Sequence, residues 1–271
     1  MSTFATEIES GMRFEFGKNW KEYLSTLTDE KQIISRQSMA ELLETDDLEG
    51  KTFLDIGSGS GLSSLSARSM GATVSSFDFD PNSVECTRSL KASFFEEDKD
   101  WSVTEGSVLD KEFLESLGQF DIVYSWGVLH HTGSMWEAIS NASERVRPGG
   151  TFFIALYNDQ GKKSVMWKRV KEIYCSGTLG RWAMSAVFLP YFAFWQLVQS
   201  VRTGTNSFRE YKQNRGMNVT HDWYDWLGGL PFEVAGIEET VEFMRERGFE
   251  LKNLKSANGS LGNNEFVFKR V

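Results

Sequence analysis

The sequence predicts an α/β fold, a doubly wound and mostly parallel sheet of seven strands with one antiparallel edge strand. Between residues 51 and 157, five short apolar runs alternate with helical segments, an order typical of parallel strands with helices on both faces. Two further runs near the end of the chain are joined by a Gly/Asn-rich turn, which makes that pair antiparallel. We also expect N-terminal helices and a helical cap inserted after the fifth strand.

Each element follows from its local pattern. The strand candidates are short apolar runs that end in glycine or polar residues, and the helix candidates carry apolar side chains at helical spacing. The predicted strands are 51–56, 72–77, 101–104, 120–126, 151–157, 249–255 and 265–269, and the predicted helices are 62–70, 81–95, 111–117, 135–146 and 237–247. Three parts are expected: an N-terminal helical segment 1–50, a sheet domain 51–157 and 233–271, and a cap or lid 158–232.

Composition narrows the class of protein. The chain has 271 residues, 40 % of them apolar, and a formal net charge of −9. That is enough apolar surface for a large core, and it excludes a disordered chain or a disulfide-stapled miniprotein. Because the net charge is negative, we expect no nucleic-acid partner. The two cysteines lie far apart and no apolar leader is visible, so we expect a cytoplasmic protein without a disulfide or a metal site.

The predicted cap differs from the rest of the chain in charge and hydropathy. Residues 158–216 hold ten basic and three acidic side chains, a charge of +7, so the remaining residues must carry −16. Residues 182–201 have no charge, and their length alone would admit a membrane span. Because Pro190 lies at the centre, we expect instead two helices broken there, either buried or facing a membrane. The basic side chains could attract an anionic acceptor or an anionic membrane surface, or form a solvated face.

The strongest motif is the glycine-rich turn after the first strand, which contains Asp55, Gly57, Ser58, Gly59 and Gly61. Glycines let a ligand approach the backbone closely, and the helix that follows offers free N–H groups at its start. A nicotinamide-type loop needs G-x-G-x-x-G, whereas here the third glycine comes one residue early. An acid two residues before the first glycine repels a pyrophosphate but can accept hydrogen bonds from a cationic ligand.

This acid-x-G-x-G-x-G pattern resembles motif I of the class I S-adenosylmethionine (SAM) dependent methyltransferases, and the later segments EGSVLD, FDIVYSWGVLHH and RVRPGGTFFIALYN resemble the family in the same order. The nearest type is the small-molecule methyltransferases of ubiquinone biosynthesis. The resemblance implies a Rossmann-like fold with SAM as cofactor. It also implies that Asp78 bonds the ribose hydroxyls, that Phe79 packs on the adenine, and that Ser107 and Val108 read the adenine edge. The family often has Asp at the position of Ser107.

Two further cofactor contacts are expected outside these loops. The resemblance implies that Arg36 holds the methionine carboxylate, a task that suits a bidentate guanidinium. The alternative for Arg36 is a solvated helix arginine. The aromatic face of Trp126, at the end of the fourth strand, could stabilise the sulfonium.

Candidate catalytic residues are the three histidines, His130, His131 and His221. Histidine titrates near neutral pH, so one of them could deprotonate an acceptor. Tyr157 and Asn158 end the fifth strand, at the sheet edge where ligands bind, and Tyr224 lies beside His221 in an aromatic stretch that looks like a pocket wall. The alternative for all of these residues is a structural role.

The function expected from this pattern is SAM-dependent methyl transfer to a small-molecule acceptor, in particular O-methylation. An enzyme of another class could use the same pocket. Attack at the aminobutyrate carbon of SAM, in place of its methyl group, releases methylthioadenosine, and this is the reaction of an aminocarboxypropyl transferase or a cyclising lyase. A non-catalytic SAM-binding protein is a third hypothesis. We expect the partner to be a small molecule, with peripheral membrane contact through the cap as an open possibility and the oligomeric state undetermined.

Overall fold

The computed structural model describes residues 4–17, 20, 23–24, 27–204, 219–259 and 262–271, with the side chains of 219–222 and 225 outside that description. Two compact units are formed. The insert unit comprises Met1–Leu27 and Gly161–Pro231, and the sheet unit comprises Thr28–Gln160 and Phe232–Val271.

The helices and strands have the following bounds. The strands are β1 Thr52–Ile56, β2 Thr73–Asp78, β3 Trp101–Glu105, β4 Phe120–Trp126, β5 Val146–Tyr157, β6 Phe249–Lys255 and β7 Asn263–Arg270. The described helices are α1 Phe4–Glu9, α2 Asp29–Leu43, α3 Leu62–Ser69, α4 Pro81–Phe94, α5 Lys111–Leu117, α6 Met135–Ser143, α7 Lys162–Cys175, α8 Thr178–Thr203, α9 Val219–Gly228 and α10 Ile237–Arg245.

The seven strands form one sheet in the order β3-β2-β1-β4-β5-β7-β6. The strands from β3 to β5 pair in parallel, while β7 runs antiparallel to both β5 and β6. The predicted fold class is therefore confirmed, and the antiparallel strand lies one position inside the edge of the sheet. Strand β5 begins at Val146, five residues earlier than predicted, because Val146 already pairs with Phe120 of β4. The Arg-Pro-Gly-Gly segment forms an irregularity before the regular pairing resumes at Thr151.

Local sequence explains where the helices of the sheet unit begin. The Asp80 side chain accepts the N–H of Asn82 over 2.8 Å at the start of α4, and Pro81 occupies the first helical turn. In the same way, Asp110 accepts the N–H of Phe113 over 3.0 Å at the start of α5. Each cap comes a few residues after a strand, Asp80 after β2 and Asp110 after β3. Short loops therefore connect the carboxyl ends of these strands to the helices that follow.

The main core of the sheet unit lies on one face of the sheet, against α5, α6 and α10. It includes the buried side chains of Leu54, Ile56, Val123, Leu114, Ala138, Ile139, Phe152, Ile154, Met244, Phe266 and Phe268. Burial of a large aliphatic or aromatic side chain stabilises a fold by about 1.5–3 kcal/mol, so this face supplies much of the stability of the unit. On the opposite face, α3 packs on β1 through the hydrogen bond between Ser64 and Asp55.

The insert unit is helical, and its longest helix corrects one prediction. Helix α8 runs without a break from Thr178 to Thr203, with Pro190 inside it, whereas two helices broken at that proline were predicted. A proline removes one intrahelical hydrogen bond, to the carbonyl four residues earlier. Here both Pro190 and Ala186 are exposed, so that carbonyl does not have to be buried without a donor. By length and composition, α8 could cross a membrane.

Aromatic side chains hold the insert unit together. The rings of Trp167 and Phe188 lie 5.3 Å apart between centroids, and those of Trp167 and Trp226 lie 5.5 Å apart. Buried Lys171 donates to the carbonyl of Trp226, and its ammonium lies 4.5 Å from the ring centroid of the same residue. A charge-assisted bond to a carbonyl at the end of a helix is favourable, so Lys171 helps to fix the last turn of α9.

Candidate functional site

The glycine turn after β1 is fixed by contacts with the neighbouring strands. The N–H groups of Gly57 and Ser58 both donate to the carbonyl of Phe77, over 2.9 and 3.1 Å. Gly57 has a φ of 75°, and a Cβ placed there would lie 2.4 Å from the Cγ atoms of Val128. Only glycine fits this position, because both the backbone conformation and the close approach of Val128 exclude a side chain.

The same turn leads into α3 without a side-chain cap. Gly61 occupies the N-cap position with a φ of 82°, and among the described residues no side-chain hydrogen bond caps the helix. The hydroxyls of Ser58 and Thr87 lie 2.9 Å apart, which ties the turn to α4. An uncapped helix start presents N–H donors and partial positive charge, an environment that suits a carboxylate.

Asp55 is buried beneath the turn rather than presented to a ligand. Its carboxylate accepts the Ser64 hydroxyl over 2.5 Å, Ser64 and Ser76 hydroxyls lie 2.7 Å apart, and the Trp101 indole N–H donates to Ser76 over 2.9 Å. These hydrogen bonds form a chain in which Trp101 donates to Ser76, Ser76 to Ser64, and Ser64 to Asp55. Burial raises the pKa of the Asp55 carboxyl to about 7, the bond from Ser64 opposes the rise, and the charge of Asp78 adds to it. In this structure Asp55 anchors α3 to β1, and the contact with a cationic ligand stays a prediction.

Asp78 lies at the carboxyl end of β2 and faces the glycine turn. Its two carboxylate oxygens accept the N–H of Gly59 and the N–H of Asp80, each over 2.9 Å. An ionised carboxylate has about four acceptor positions on its two oxygens, a capacity that suits a pair of hydroxyl donors. Phe79 follows directly and is half-buried, as expected for a side chain that packs on a flat ring.

The loop after β3 joins the same group. Gly106 donates to the carbonyl of Asp78 over 3.0 Å, so this loop lies against the end of β2. The Ser107 hydroxyl accepts the N–H of Leu109 over 3.2 Å, and buried Val108 accepts the side-chain amide of Asn141 through its carbonyl over 3.1 Å. The structure therefore brings the predicted residues 57–61, 78–79 and 107–108 together in the sheet unit. Asn141, which the sequence reasoning missed, holds one of these loops.

Trp126 ends β4 with its side chain 49 % exposed. Its indole N–H donates to Glu265 over 3.2 Å, and Lys255 lies 3.7 Å from the other carboxylate oxygen of Glu265. Sequence reasoning missed Glu265, because only the register of β7 shows the contact. In that register Ala155 pairs with both Trp126 and Glu265.

The two neighbouring histidines have different environments. His130 is 0 % exposed, and its Nδ1 accepts the N–H of Tyr157 over 3.3 Å. His131 is 9 % exposed, with its ring centroid 4.5 Å from that of His130 and 5.3 Å from that of Tyr157. A general base needs a lone pair that a substrate can reach. The Nδ1 of His130 is engaged by Tyr157, so we keep His131 as the candidate base, and the roles of both histidines stay predictions.

Asn158 makes structural contacts. Its side-chain oxygen accepts the amide of buried Asn264 over 3.0 Å, and its N–H donates to the carbonyl of Gly262 over 2.9 Å. These bonds link the end of β5 to β7. A contact with the acceptor stays a prediction for Asn158, as it does for Tyr157.

The three remaining predicted residues lie on helices. Arg36 is exposed on α2. Tyr224 lies on α9 of the insert unit and is also exposed, while the side chain of His221, on the same helix, lies outside the described residues. The predicted roles of all three stay predictions.

The residues that are assembled fit the chemistry of SAM. The carboxylate of Asp78 suits a pair of ribose hydroxyls, the uncapped start of α3 suits the methionine carboxylate, and the glycine turn lets a ligand approach the backbone.

Comparison with known proteins decides the family. A family model described as methyltransferase domain matches residues 29–221, more than half of the chain. This chain belongs to the methyltransferase domain family. The predicted membership of the class I SAM-dependent methyltransferases, with SAM as cofactor, is confirmed.

Similar proteins include two curated methyltransferases and two solved structures. A ubiquinone biosynthesis O-methyltransferase of Rhizobium leguminosarum bv. trifolii is 31 % identical over 50 % of this chain and 50 % of its own length. One of Brucella melitensis is 34 % identical over 41 % of this chain and 43 % of its own length. This methyltransferase chain therefore matches about half the length of these relatives or less.

One similar solved structure is the magnesium protoporphyrin IX methyltransferase of Synechocystis PCC 6803 with bound S-adenosylhomocysteine (SAH). Its TM-score is 0.54 at 13 % sequence identity, and the alignment covers 89 % of this chain and 84 % of that one. A putative methyltransferase of Haloferax volcanii, in complex with an activator, has a TM-score of 0.54 and 15 % identity, covering 95 % of this chain and 96 % of that one. At these identities the likeness shows the fold.

Proposed function

We propose that this methyltransferase transfers the methyl group of SAM to a hydroxyl oxygen of a small-molecule acceptor. The observation that carries the proposal is the assembly of Asp78, the glycine turn and His131 at the carboxyl ends of the strands in one unit. The family supports the cofactor, and the curated relatives that carry the name O-methyltransferase support an oxygen as the accepting atom.

When bound, SAM supplies a methyl group already activated by its attachment to a positively charged sulfur. The protein must then hold donor and acceptor in line and exclude water. Asp78 would hold the ribose hydroxyls through its carboxylate. The start of α3 would receive the methionine carboxylate, and Asp55 keeps that helix start in place through Ser64.

Removal of the acceptor proton is assigned to His131. A hydroxyl is a poor nucleophile until its proton leaves, and a positioned base contributes about 10²–10⁴-fold to such a step. His130 keeps Tyr157 and the neighbouring His131 ring in place, because its Nδ1 is already engaged by the Tyr157 N–H. Trp126 offers an aromatic face at the same sheet edge, held by Glu265.

Product analysis tests this proposal. The protein is incubated with SAM and a panel of phenols, catechols and aliphatic alcohols, and the mixture is analysed by mass spectrometry. We expect SAH together with an acceptor that is heavier by one CH2 group. Methylthioadenosine in place of SAH would assign the chain to aminocarboxypropyl transfer or cyclising cleavage. SAM binding with no acceptor-dependent turnover would assign it to the non-catalytic class. The comparisons give no support to either alternative.

A further inference from the structure

The outward face of α8 is apolar along its whole length. Its exposed side chains recur at intervals of three or four residues, the spacing of one helix face. Leu179 is 81 % exposed, Trp182 71 % and Val201 76 %. The exposed apolar or aromatic positions between them are Ala186, Val187, Pro190, Tyr191, Phe194, Trp195 and Leu197. A surface helix normally carries polar side chains on this face, whereas α8 carries apolar ones.

The inward face of α8 is already occupied within the insert unit. Phe188 packs on Trp167 of α7 with 5.3 Å between ring centroids, and Phe192 packs on Trp223 of α9 with 5.8 Å. One face of the helix is therefore packed within the insert unit, and the other face is exposed. An exposed apolar surface of this extent marks a site of interaction.

Basic side chains accompany this apolar face. From Lys162 to Thr203 the chain has seven basic residues and one acidic residue, a charge of +6, so the rest of the chain carries −15. On α7, Lys162, Lys168 and Arg169 are exposed, and the apolar side chains of Val165 and Met166 are exposed between them. Exposed apolar and basic side chains therefore occur together on α7, a combination typical of helices that lie in a membrane interface.

We propose that the outward face of α8, together with the exposed basic face of α7, binds the surface of an anionic phospholipid membrane. Helix α8 lies in the plane of the interface, since crossing the bilayer would separate Phe188 from Trp167 and Phe192 from Trp223. The acidic remainder of the chain is repelled by the anionic lipids, which orients the protein with the insert unit towards the membrane. A second copy of the chain fits this face less well, because each copy would bring the same exposed basic side chains to the contact.

Vesicle flotation of the full chain tests the proposal. We expect binding to vesicles of phosphatidylcholine and phosphatidylglycerol at a ratio of about two to one, and much weaker binding to phosphatidylcholine alone. High salt should weaken the binding, and alkaline carbonate should release the protein, as it does any protein that lies on a membrane rather than across it.

The decisive variant is Trp182→Glu/Phe194→Glu, which places two charges on the outward face. We expect it to lose at least about tenfold in vesicle binding, because each charge would have to enter the apolar part of the interface. The matched control is Ile33→Glu/Ile34→Glu on α2, which makes the same charge change at two exposed apolar positions of the sheet unit and should lose far less. A circular dichroism melt confirms that both variants fold. Should Trp182→Glu/Phe194→Glu not fold, Leu179→Glu/Val201→Glu at the two ends of α8 replaces it.

A second pair of variants tests the basic face. Lys168→Gln/Arg169→Gln should weaken binding to anionic vesicles roughly fivefold for each charge removed. Binding of the wild type to neither kind of vesicle, or equal binding by Trp182→Glu/Phe194→Glu, overturns the proposal. Resistance to carbonate overturns the in-plane arrangement. A dimer in lipid-free solution that Trp182→Glu/Phe194→Glu converts to a monomer assigns the face to a second copy instead.

Discussion

Gly59 donates its backbone N–H to the carboxylate of Asp78 over 2.9 Å, which joins the glycine turn after β1 to the end of β2. The bond fixes the carboxylate at the carboxyl edge of the sheet, where ligands of open α/β sheets bind. One side chain thus organises the glycine turn at the edge of the sheet where a ligand would bind. Four predictions follow from the contacts around it.

Asp78→Asn should weaken SAH binding at least about tenfold, because hydrogen bonds to a charged group contribute about 1.5–3 kcal/mol each. Titration calorimetry with SAH measures the change in Kd. The control is Asp100→Asn, which removes the same charge at an exposed position on the surface and should leave the Kd unchanged. Equal Kd values for Asp78→Asn and the wild type would remove Asp78 from the cofactor site.

Gly57→Ala should destabilise the sheet unit by about 2–4 kcal/mol, the sum of overpacking and of strain at a positive φ. The added Cβ would lie 2.4 Å from the Cγ atoms of Val128. Chemical denaturation measures the free energy of unfolding. Gly149→Ala is the control, because Gly149 has a φ of 71° and nothing within 4 Å of its added Cβ. Gly149→Ala should lose only the stability that corresponds to the backbone strain. Val128→Ala, combined with Gly57→Ala, should restore part of the lost stability. Equal losses at Gly57 and Gly149 would contradict the steric argument.

The pH dependence of stability should carry a contribution from Asp55. Burial raises the pKa of this carboxyl to about 7, whereas an aspartate in the unfolded chain ionises near about 3.9. Between these two values the folded state binds a proton that the unfolded state has lost, so the contribution to stability falls as the pH rises and is constant above about 7.

Asp55→Asn removes this titration. As the pH rises from about 4 to about 7, the wild type should therefore lose up to a few kcal/mol of unfolding free energy relative to Asp55→Asn. Urea unfolding at several pH values measures it, and other titrating groups cancel in the difference. Parallel profiles for the two proteins would show that Asp55 ionises normally in the folded state.

The two histidines should respond differently to substitution. His131→Gln should lower kcat by about 10²-fold or more, remove the low-pH limb of the kcat/KM profile, and leave the Kd of SAH unchanged. His130→Ala should lower the free energy of unfolding by about 1–3 kcal/mol, because the N–H of Tyr157 loses its acceptor. The measurements are steady-state kinetics across pH and thermal unfolding. An unchanged kcat in His131→Gln would move the base to another residue.

Much of the fold could be predicted from the sequence, because local patterns determine it. The alternation of apolar runs and helices indicated the parallel strands, and the turn between β6 and β7 indicated the antiparallel pair. The positions of Asp78 and the glycine turn followed from strand ends, which meet at one edge in a parallel sheet. These features depend on residues close together in sequence.

Features that depend on packing could not be predicted in the same way. The inward orientation of Asp55 depends on Ser64, Ser76 and Trp101, which come from three other elements. The contact of Glu265 with Trp126 depends on the register of β7. The continuity of α8 through Pro190 depends on exposure at that point, which composition alone does not show.

Calorimetry with the wild-type chain tests the central claim, that the glycine turn and Asp78 of the sheet unit bind an adenosyl sulfur nucleoside. SAH is titrated into the protein, and a nicotinamide dinucleotide is titrated in parallel. We expect a saturable heat with SAH, binding of SAH that is weaker by at least about tenfold in Asp78→Asn, and no heat with the dinucleotide. Saturable binding of the dinucleotide, with none of SAH, would contradict it.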